Sequence, residues 1–503
     1  MAITYLGMDL APANNQLAVY LKFIIDEAIT YSYTVLGRST STTSLDFTYS
    51  SNDIVSLPEI KIPVIGLYAN YLNQVQVVFK NLSGVEVFNQ TIQVSTQEQL
   101  YRDGTIFHID IEQTDPSNFT TVWGNSWVMT TNCDGYDRNG DLRCYYAQPY
   151  RNQMLKTHNG YFYIGSDEDE HWYGRRFFKI DILGNEILEF DLRDRDNTHD
   201  LIWDSADNLF MIGNDNPDRS TNTMRQDASI LKFDEKTGVM LWAKNYTRAF
   251  DNTQILNNSP TNDAHLNSLS WIPAGEANAE AIVVHTRSAG LTFGISPADG
   301  EILWSINTGG FNSNFAAGQG VTQIDTSGIE NFENGAHTVF VTKNSAFAGL
   351  SNETEGKFVL SLFDNRSCVD NVGNAVTRDI TRDSTADSYK TDPARVMFYA
   401  VDLVANTATQ AGSIIQLPSD RVPQVTDFMG AAIDYGDYYG IYTNHARSFF
   451  ISDATGHIIA TIYDLICSMD GYPEFPGECY RARLFAKGEL DALINKGYQV
   501  ANG

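Results

Sequence analysis

The sequence predicts an all-β protein, with an N-terminal β-sandwich followed by a six-bladed β-propeller. Short alternating segments fill the first hundred residues, and a strand–turn–strand unit recurs from about residue 105 onward. The composition is rich in Tyr (26), Phe (27) and Gly (37). Aromatic residues favour strands and glycine favours turns, so the composition supports the same fold class.

The N-terminal segments QVQVVFK, VEVFNQTIQV and TSLDFTYS alternate apolar and polar residues between Asn, Ser and Gly turns. Such alternation is typical of half-buried strands, so residues 1–105 are predicted to form an Ig-like antiparallel sandwich. The stretch QLAVYLKFIIDEAI has the length of a helix, but its β-branched and aromatic content fits a strand equally well.

The recurring unit is a hairpin whose turn carries Asp and Gly. It reads FFKIDILGNEILEF at 177–190, ILKFDEKTGVMLW at 230–242, LTFGISPADGEILW at 291–304 and, more weakly, SFFISDATGHIIATI at 448–462. The turn glycines Gly184, Gly238 and Gly300 are 54 (238 − 184) and 62 (300 − 238) residues apart, which suits one four-stranded blade per repeat. Residues 106–503 are therefore predicted to form six blades. A bent sheet of unrelated hairpins is the less favoured alternative.

The chain carries 34 Lys and Arg residues against 62 Asp and Glu residues, a formal net charge of −28. A surface this acidic repels phosphate backbones and anionic lipid, so no nucleic acid partner is expected. Membrane insertion is not expected either, because no apolar run reaches the length of a membrane span. An anionic ligand would need a pocket in which the few cations are concentrated.

Two cysteine pairs bracket short turn-rich loops: Cys133 with Cys144, and Cys467 with Cys479, while Cys368 is left over. We interpret the pairs as disulfides, which persist outside a reducing cytosol. The N-terminal MAITYLGMDLAPANN has no basic segment followed by an apolar stretch, so it is not a secretory signal peptide. The interpretations left open are an extracellular, cell-surface or virion protein, a periplasmic protein whose signal has been removed, and reduced cysteines.

Histidine and arginine residues near predicted inner strands are the candidates for function, because loops at one mouth of a propeller converge. His199 lies in NTHDLIW and His265 in HLNSLSW, each where a loop enters a strand. Arg287 in HTRSAG has His285 two residues before it, and hence on the same strand face. Such groups can bind an oxyanion such as sulfate or phosphate; the alternative is that they are hydrogen-bonded turn or core residues. No metal site or cofactor is expected, since no metal-ligand spacing or phosphate loop is found.

These segments resemble those of the bacterial arylsulfate sulfotransferase family, nucleotide-independent arylsulfotransferases that move a sulfo group between phenols. The resemblance begins at IPVIGLYANYLNQVQVVF and continues in order through KIDILGNEILEFDL, NTHDLIWDSADNLFMI, HLNSLSW, HTRSAG, SAF and FDN. It implies an N-terminal sandwich, a six-bladed propeller and a channel histidine that is transiently sulfated. It also implies that two further histidines and an arginine hold the sulfo group. The positions that match these supporting residues are His199, His265 with Asn267 and Ser268, and Arg287.

The chain departs from the family pattern at the nucleophile. The family reads Thr-Gln-His-Thr-Ala-Phe before a hairpin ending in Phe-Asp-Asn-Gly, whereas this chain has TKNSAF at 342–347 and FDN at 363–365. Asn344 then stands in place of the histidine. A carboxamide nitrogen has no available lone pair, so Asn344 could hydrogen-bond a sulfate oxygen but could not be sulfated. His285 and His337 are the alternative nucleophiles.

The sequence therefore predicts an arylsulfotransferase-like protein that is catalytically inactive and acts as an extracellular or virion-surface binding or structural protein. The residues expected to line its sulfate pocket are His199, His265, Asn267, His285, Arg287 and Asn344. The expected partners are a sulfated or phenolic small molecule and, through the exposed β modules, further copies of the chain or other surface proteins. The alternative function is an active arylsulfate sulfotransferase whose turnover depends on His265, His285 or His337.

Overall fold

The structure is a computed structural model of the chain, and nearly all of its regular elements are strands. The described residues are 3–10, 15–39, 44–51, 53–56, 58–99, 109–131, 133–146, 155–166, 174–214, 227–246, 265–287, 290–309, 321–333, 335–365, 394–418, 430–443, 447–463, 465 and 480–502. The predicted domain boundary at residue 105 lies outside them.

Seven strands form the N-terminal sandwich: β1 (Ile3–Leu10), β2 (Val19–Ile25), β3 (Ile29–Val35), β4 (Phe47–Ser50), β5 (Glu59–Val64), β6 (Leu72–Asn81) and β7 (Glu86–Ser95). One sheet has the order β1-β2-β5 and the other β4-β3-β6-β7, with antiparallel neighbours throughout. Alternate residues of β3 and β6 are buried, as the sequence pattern predicted. The stretch that fits a helix or a strand by sequence forms β2.

The remaining strands form six blades around a channel. They are preceded by β8 (Asp110–Gln113) and helix α1 (Pro116–Trp123). Blade 1 contains β9 (Trp127–Thr130), β10 (Gly135–Tyr136) and β11 (Leu142–Cys144). Blade 2 contains β12 (Leu155–His158), β13 (Tyr161–Ser166), β14 (Arg176–Ile180) and β15 (Glu186–Glu189). Blade 3 contains β16 (Asp196–Trp203), β17 (Leu209–Asn214), β18 (Asp227–Phe233) and β19 (Met240–Asn245).

The second half of the propeller continues the pattern. Blade 4 contains β20 (Leu266–Ile272), β21 (Ala281–Thr286), β22 (Leu291–Ile295) and β23 (Ile302–Asn307), and is followed by β24 (Thr322–Gly328). Blade 5 contains β25 (Ala336–Thr342), β26 (Lys357–Asp364), β27 (Arg395–Asp402), β28 (Thr407–Gln410) and the short β29 (Ile415–Gln416). Blade 6 contains β30 (Ala431–Asp434), β31 (Tyr438–Thr443), β32 (Ser448–Asp453) and β33 (Ile458–Tyr463). The chain ends with β34 (Ala482–Phe485) and helix α2 (Lys487–Asn502).

Both ends of the propeller segment close the ring. Strand β34 pairs with β9 and completes blade 1, while β8 pairs with β33 and extends blade 6. Helix α2 then packs on the sandwich, where the rings of Tyr498 and Tyr31 lie 5.5 Å apart. Within the described ranges, neither α2 nor any other helix is long and apolar enough to cross a membrane.

The recurring hairpins are the outer strand pairs of their blades, which confirms the sequence-based prediction. The pairs β14–β15, β18–β19, β22–β23 and β32–β33 are all antiparallel. Gly184, Gly238 and Gly300 have φ angles of 86°, 70° and 71° at three of the turns. Only glycine adopts this left-handed backbone without a steric penalty, so these glycines fix where each hairpin turns.

Arg143 connects the sandwich to blade 1. Its Nε donates to the carbonyl of Gly66 at 2.8 Å, and its Nη1 lies 3.0 Å from Oδ2 of Asp137. The guanidinium also lies 3.9 Å from the centre of the Tyr68 ring. Since Arg143 is only 1% exposed, these contacts form a dry junction between the two parts of the chain.

The predicted Cys133–Cys144 disulfide is not formed, because both residues are buried free thiols. In the β10–β11 ladder the residue opposite Cys144 is Gly135, and Cys133 lies two residues before Gly135. The two cysteines are therefore not cross-strand partners. Burial raises the pKa of both thiols. The other predicted pair and the remaining cysteine lie outside the described residues: Cys467, Cys479 and Cys368.

Candidate active site in the propeller channel

Three histidines enter the channel from the neighbouring inner strands of blades 3, 4 and 5, each close to a break in strand register. His199 lies in a bulge of β16, whose ladder with β17 shifts between Thr198 and Leu201. His337 is the extra residue of a bulge in β25. His265 immediately precedes β20, whose ladder with β21 also shifts near its start. Bulges bend a strand and re-aim its side chains, so these irregularities direct the imidazoles toward one another.

The backbone of two of these histidines is in the left-handed region. The φ angle is 57° at His199 and 50° at His265. A left-handed non-glycine residue costs of order 1 kcal/mol and persists only where its surroundings hold it. The amide of Arg287 donates to the carbonyl of His265 at 3.0 Å, which supplies part of that support.

The three imidazoles form one buried cluster with Tyr480. Nε2 of His199 lies 3.1 Å from Nε2 of His265, and the ring of His337 is 6.3 Å from the ring of His199 in a nearly parallel orientation. Nε2 of His337 lies 2.7 Å from the hydroxyl of Tyr480. The most exposed of the three histidines, His265, is 7% accessible, so a ligand here would be largely shielded from water.

The electrostatic environment keeps the His337 imidazole neutral. Burial is the main cause that lowers its pKa well below the usual value, and nearby Arg287, His199, Arg481 and His265 add to it. A neutral imidazole keeps one nitrogen lone pair available, which a nucleophile requires. Of these groups, Arg287 and Arg481 are cations, and they favour negative charge on anything that binds next to the His337 imidazole.

A second layer of charge lies beside the histidines. Arg481 donates through Nη2 to the carbonyl of Asn267 at 2.8 Å, and its Nη1 lies 3.4 Å from Oδ1 of Asp200. The same oxygen of Asp200 lies 2.7 Å from Nζ of Lys156. Burial lowers the pKa of Lys156, an effect that Asp200 opposes. One carboxylate is thus shared by two cations, and Arg287 adds a third, so the described charges of the site favour an anion.

Asn344 does not join this cluster. It caps the short 3-10 helix Ser345–Phe347, where its Oδ1 accepts from the amide of Ala346 at 3.1 Å and its Nδ2 lies 3.4 Å from Asp434. His337 is at the start of β25 and Asn344 lies beyond its end, so the two are separated by about 20 Å of extended chain. Asn344 therefore lies apart from the channel histidines, and its assignment to the nucleophile's place is not shown; the third histidine of the cluster is His337.

His285 also lies outside the cluster. Its Nε2 is 3.2 Å from the carbonyl of Ala336 and its Nδ1 is 3.1 Å from the hydroxyl of Thr292, between blades 4 and 5. The strand β21 ends at Thr286, so the alternation from which His285 was expected to share a face with Arg287 does not extend to Arg287. Asn267 likewise uses its Nδ2 to reach Ala336, at 3.3 Å.

Sequence reasoning named His199, His265 and Arg287, which the structure brings together, and did not name Tyr480, Arg481 and Lys156. Tyr480 and Arg481 come from the last strand segment, which returns to blade 1 across the whole length of the propeller. The available signal was the cationic stretch RAR beside a tyrosine in an otherwise acidic chain. In the part of the chain that the structure describes, no group of His, Cys, Asp and Glu residues is placed to hold a metal ion.

Fold and site together define a protein with an Ig-like sandwich and a six-bladed propeller whose channel holds three buried histidines, the buried Arg481 and the half-buried Arg287. The sequence model of the family described as Arylsulfotransferase (ASST) matches residues 109–414, and that described as Arylsulfotransferase Ig-like domain matches residues 9–97. The chain therefore belongs to the arylsulfotransferase family, as the resemblance predicted.

No curated protein matches the chain. Among solved structures, virginiamycin B lyase from Staphylococcus aureus is 10% identical, with 79% of this chain and 94% of that chain covered and a TM-score of 0.30. Apo AztD from Citrobacter koseri is 7% identical, with 91% and 99% covered and a TM-score of 0.26. Likeness at this level carries no argument about chemistry.

Proposed function

We propose that this protein is an active arylsulfate sulfotransferase in which His337 carries the sulfo group between an aryl sulfate ester and a phenolic acceptor. The observation that carries the proposal is the convergence of His337 with His199, His265 and Arg287. The opposite hypothesis, a catalytically inactive binding or structural protein, depended on Asn344 standing in the nucleophile's place. That residue lies at the far end of β25 from His337, which supports the active alternative.

The proposed first half-reaction begins at His337. Its nitrogen lone pair attacks the sulfur of the ester, the bond from sulfur to the aryl oxygen breaks, and the phenolate leaves with the electron pair. The neutral state of His337 supports this role, because a protonated ring has no lone pair. Arg287 and Arg481 would stabilise the charge that develops on the sulfo oxygens.

The leaving phenolate takes up a proton, and we assign its source to the His199–His265 pair, which must then hold one proton beyond those of two neutral imidazoles, as an imidazolium hydrogen-bonded to a neutral imidazole. Two Nε2 atoms at 3.1 Å form a hydrogen bond only when one of them carries hydrogen. In the second half-reaction the acceptor phenol returns a proton to the pair, its oxygen attacks the sulfur, and the bond from sulfur to His337 breaks. The pair thereby ends in its starting state.

The test uses p-nitrophenyl sulfate with phenol as the acceptor. We expect the protein to release p-nitrophenolate, and peptide mass spectrometry after a quench without acceptor to find the sulfo group on His337. The His337→Ala variant should lose both signals, whereas the matched control Asn344→Ala should keep them. Turnover that survives in His337→Ala, or an adduct on another residue, would refute the assignment.

The non-catalytic hypothesis has its own outcome in the same experiment. A wild-type protein that releases no phenolate but binds sulfate in calorimetry, with binding lost in Arg287→Ala, would be a binding protein. The expected extracellular, virion or periplasmic location stays a prediction, because Cys133 and Cys144 are free and the second cysteine pair lies outside the described residues. Self-association or assembly with surface proteins also stays a prediction, and light scattering over a concentration series tests it.

A further inference from the structure

We propose that Glu333 and His285 are positioning residues for His337, which hold the peptide before it in a pH-dependent ring of hydrogen bonds. This inference rests on the proposed function of His337, and it concerns two buried titratable groups that do not touch the reacting atoms. The hydrogen bonds of this ring are made to the amide and the carbonyl of Ala336, the residue that precedes His337 in the chain.

The amide side of Ala336 is held by Glu333. Oε2 of Glu333 accepts from the amide of Ala336 at 2.6 Å and from the amide of Gly335 at 2.9 Å. The carboxylate thereby fixes the turn that leads into the bulge at His337. An ionised acceptor makes these bonds roughly twice as strong as neutral ones, so their strength depends on the charge of Glu333.

The carbonyl side of Ala336 is held from the neighbouring blade. His285 approaches this oxygen through Nε2 at 3.2 Å, and Asn267 donates to it through Nδ2 at 3.3 Å. A carbonyl oxygen only accepts, so Nε2 of His285 must carry the hydrogen. Burial lowers the pKa of His285 to about 3, so its imidazole is neutral and Nδ1 accepts from the hydroxyl of Thr292.

Thr308 closes the ring and gives it two states. Its hydroxyl lies 3.1 Å from Oε1 of Glu333 and also 3.1 Å from the carbonyl of Gly290. One hydroxyl hydrogen can serve only one of these acceptors. With Glu333 ionised, Thr308 donates to the carboxylate. With Glu333 protonated at Oε1, the acid donates to Thr308, which turns its hydrogen to Gly290, and the bonds from Oε2 to the two amides weaken.

Burial and the surrounding charges place this change at Glu333 near neutral pH. Burial is the main cause that raises its pKa to about 7, and Asp364 on β26 adds to it. Asp364 is itself paired with Arg395 on β27 at 2.9 Å, and Tyr399 on the same strand faces the site as a neutral phenol. His285 lies 3.7 Å away from Oε1 but is neutral, so it does not offset the burial of the carboxylate.

The test measures the single-turnover rate of p-nitrophenolate release between pH 5.5 and 8.5. The wild-type rate should fall as the pH drops through about 7. We call this fall of the rate at low pH the acid limb of the pH profile, and in Glu333→Gln the acid limb should disappear. The rate of Glu333→Gln at pH 8 should also be lower than that of wild type by at least about tenfold, because a misplaced nucleophile loses its approach geometry. Thr308→Val removes a bond that lowers the pKa of Glu333, so its limb should move to higher pH. The exposed Glu355→Gln is the matched control and should behave as wild type.

A limb that persists in Glu333→Gln would overturn the inference, because a purely structural role lowers the rate at every pH and leaves the limb in place. A second measurement does not need turnover. In protein with labelled histidines, the His337 resonance should shift with a midpoint near 7 in wild type and stay constant in Glu333→Gln. A wild type without turnover whose His337 resonance shifts in this way would refute the proposed function but support the pH-dependent hydrogen-bond ring. A wild type with turnover and a constant His337 resonance would refute the hydrogen-bond ring and leave the proposed function standing.

Discussion

The free energy of unfolding of Glu333→Gln should increase relative to that of wild type as the pH rises. The pKa of Glu333 is raised from 4.5 to about 7 in the folded protein. Below pH 4.5 the carboxyl is protonated in both the folded and unfolded states, and the free energy of unfolding carries no penalty from it. Between 4.5 and 7 the unfolded chain ionises first, so stability is lost as the pH rises. The difference of 2.5 pH units corresponds to about 3 kcal/mol.

The assay is urea unfolding of wild type, Glu333→Gln and the exposed control Glu355→Gln from pH 4.5 to pH 8. The difference between Glu333→Gln and wild type should grow by up to about 3 kcal/mol over this range, and the control should follow wild type. A constant difference would refute a raised pKa. A wild type that gains on the variant as the pH rises would show that Glu333 forms an ion pair with a charged His285.

Three further predictions concern the junction, the anion site and the thiols. Arg143→Ala leaves Asp137 buried without its ion-pair partner, so chemical denaturation should show a loss of about 3–5 kcal/mol, and an unchanged midpoint would contradict the role given to this junction. Arg287→Lys keeps the charge but loses the planar fork, so turnover should fall by roughly a hundredfold in steady-state kinetics, and wild-type rates would remove Arg287 from the site. Cys133 and Cys144 should resist a thiol reagent in the native protein and react after unfolding without reductant, as read by peptide mapping; no reaction after unfolding would mean that they are disulfide-bonded in solution.

The parts of the fold that depend on local chemistry were predictable from the sequence. The turn glycines at 184, 238 and 300 mark hairpins because a left-handed residue inside an alternating pattern permits few other structures. His199 and His265 were found because each stands where a polar loop enters a strand, which is also a local signal. Arg287 was named from the same kind of short segment.

His337 was named from the sequence only as an alternative nucleophile, and its place as the third histidine of the cluster was not predictable in this way. The pattern around Ala346 and Phe347 resembled a family motif and drew attention to Asn344, which lies at the opposite end of β25 from His337. Which end of a strand faces the channel depends on how the blade is placed in the ring, and a short motif does not contain this information. Tyr480 was missed for a related reason, since it reaches the site only because the last strand closes blade 1.

The positions of the channel histidines show how a repetitive scaffold supports a specific site. The outer hairpins repeat with glycine turns and apolar cores, and they stabilise the propeller without facing the channel. The inner strands β16, β20 and β25 instead break their ladders beside His199, His265 and His337. Each break leaves backbone groups without ladder partners, and buried groups of this kind must be bonded elsewhere. At Ala336, next to His337, the bonding comes from Glu333 and His285, so ionisable residues lie where a regular strand would have needed none.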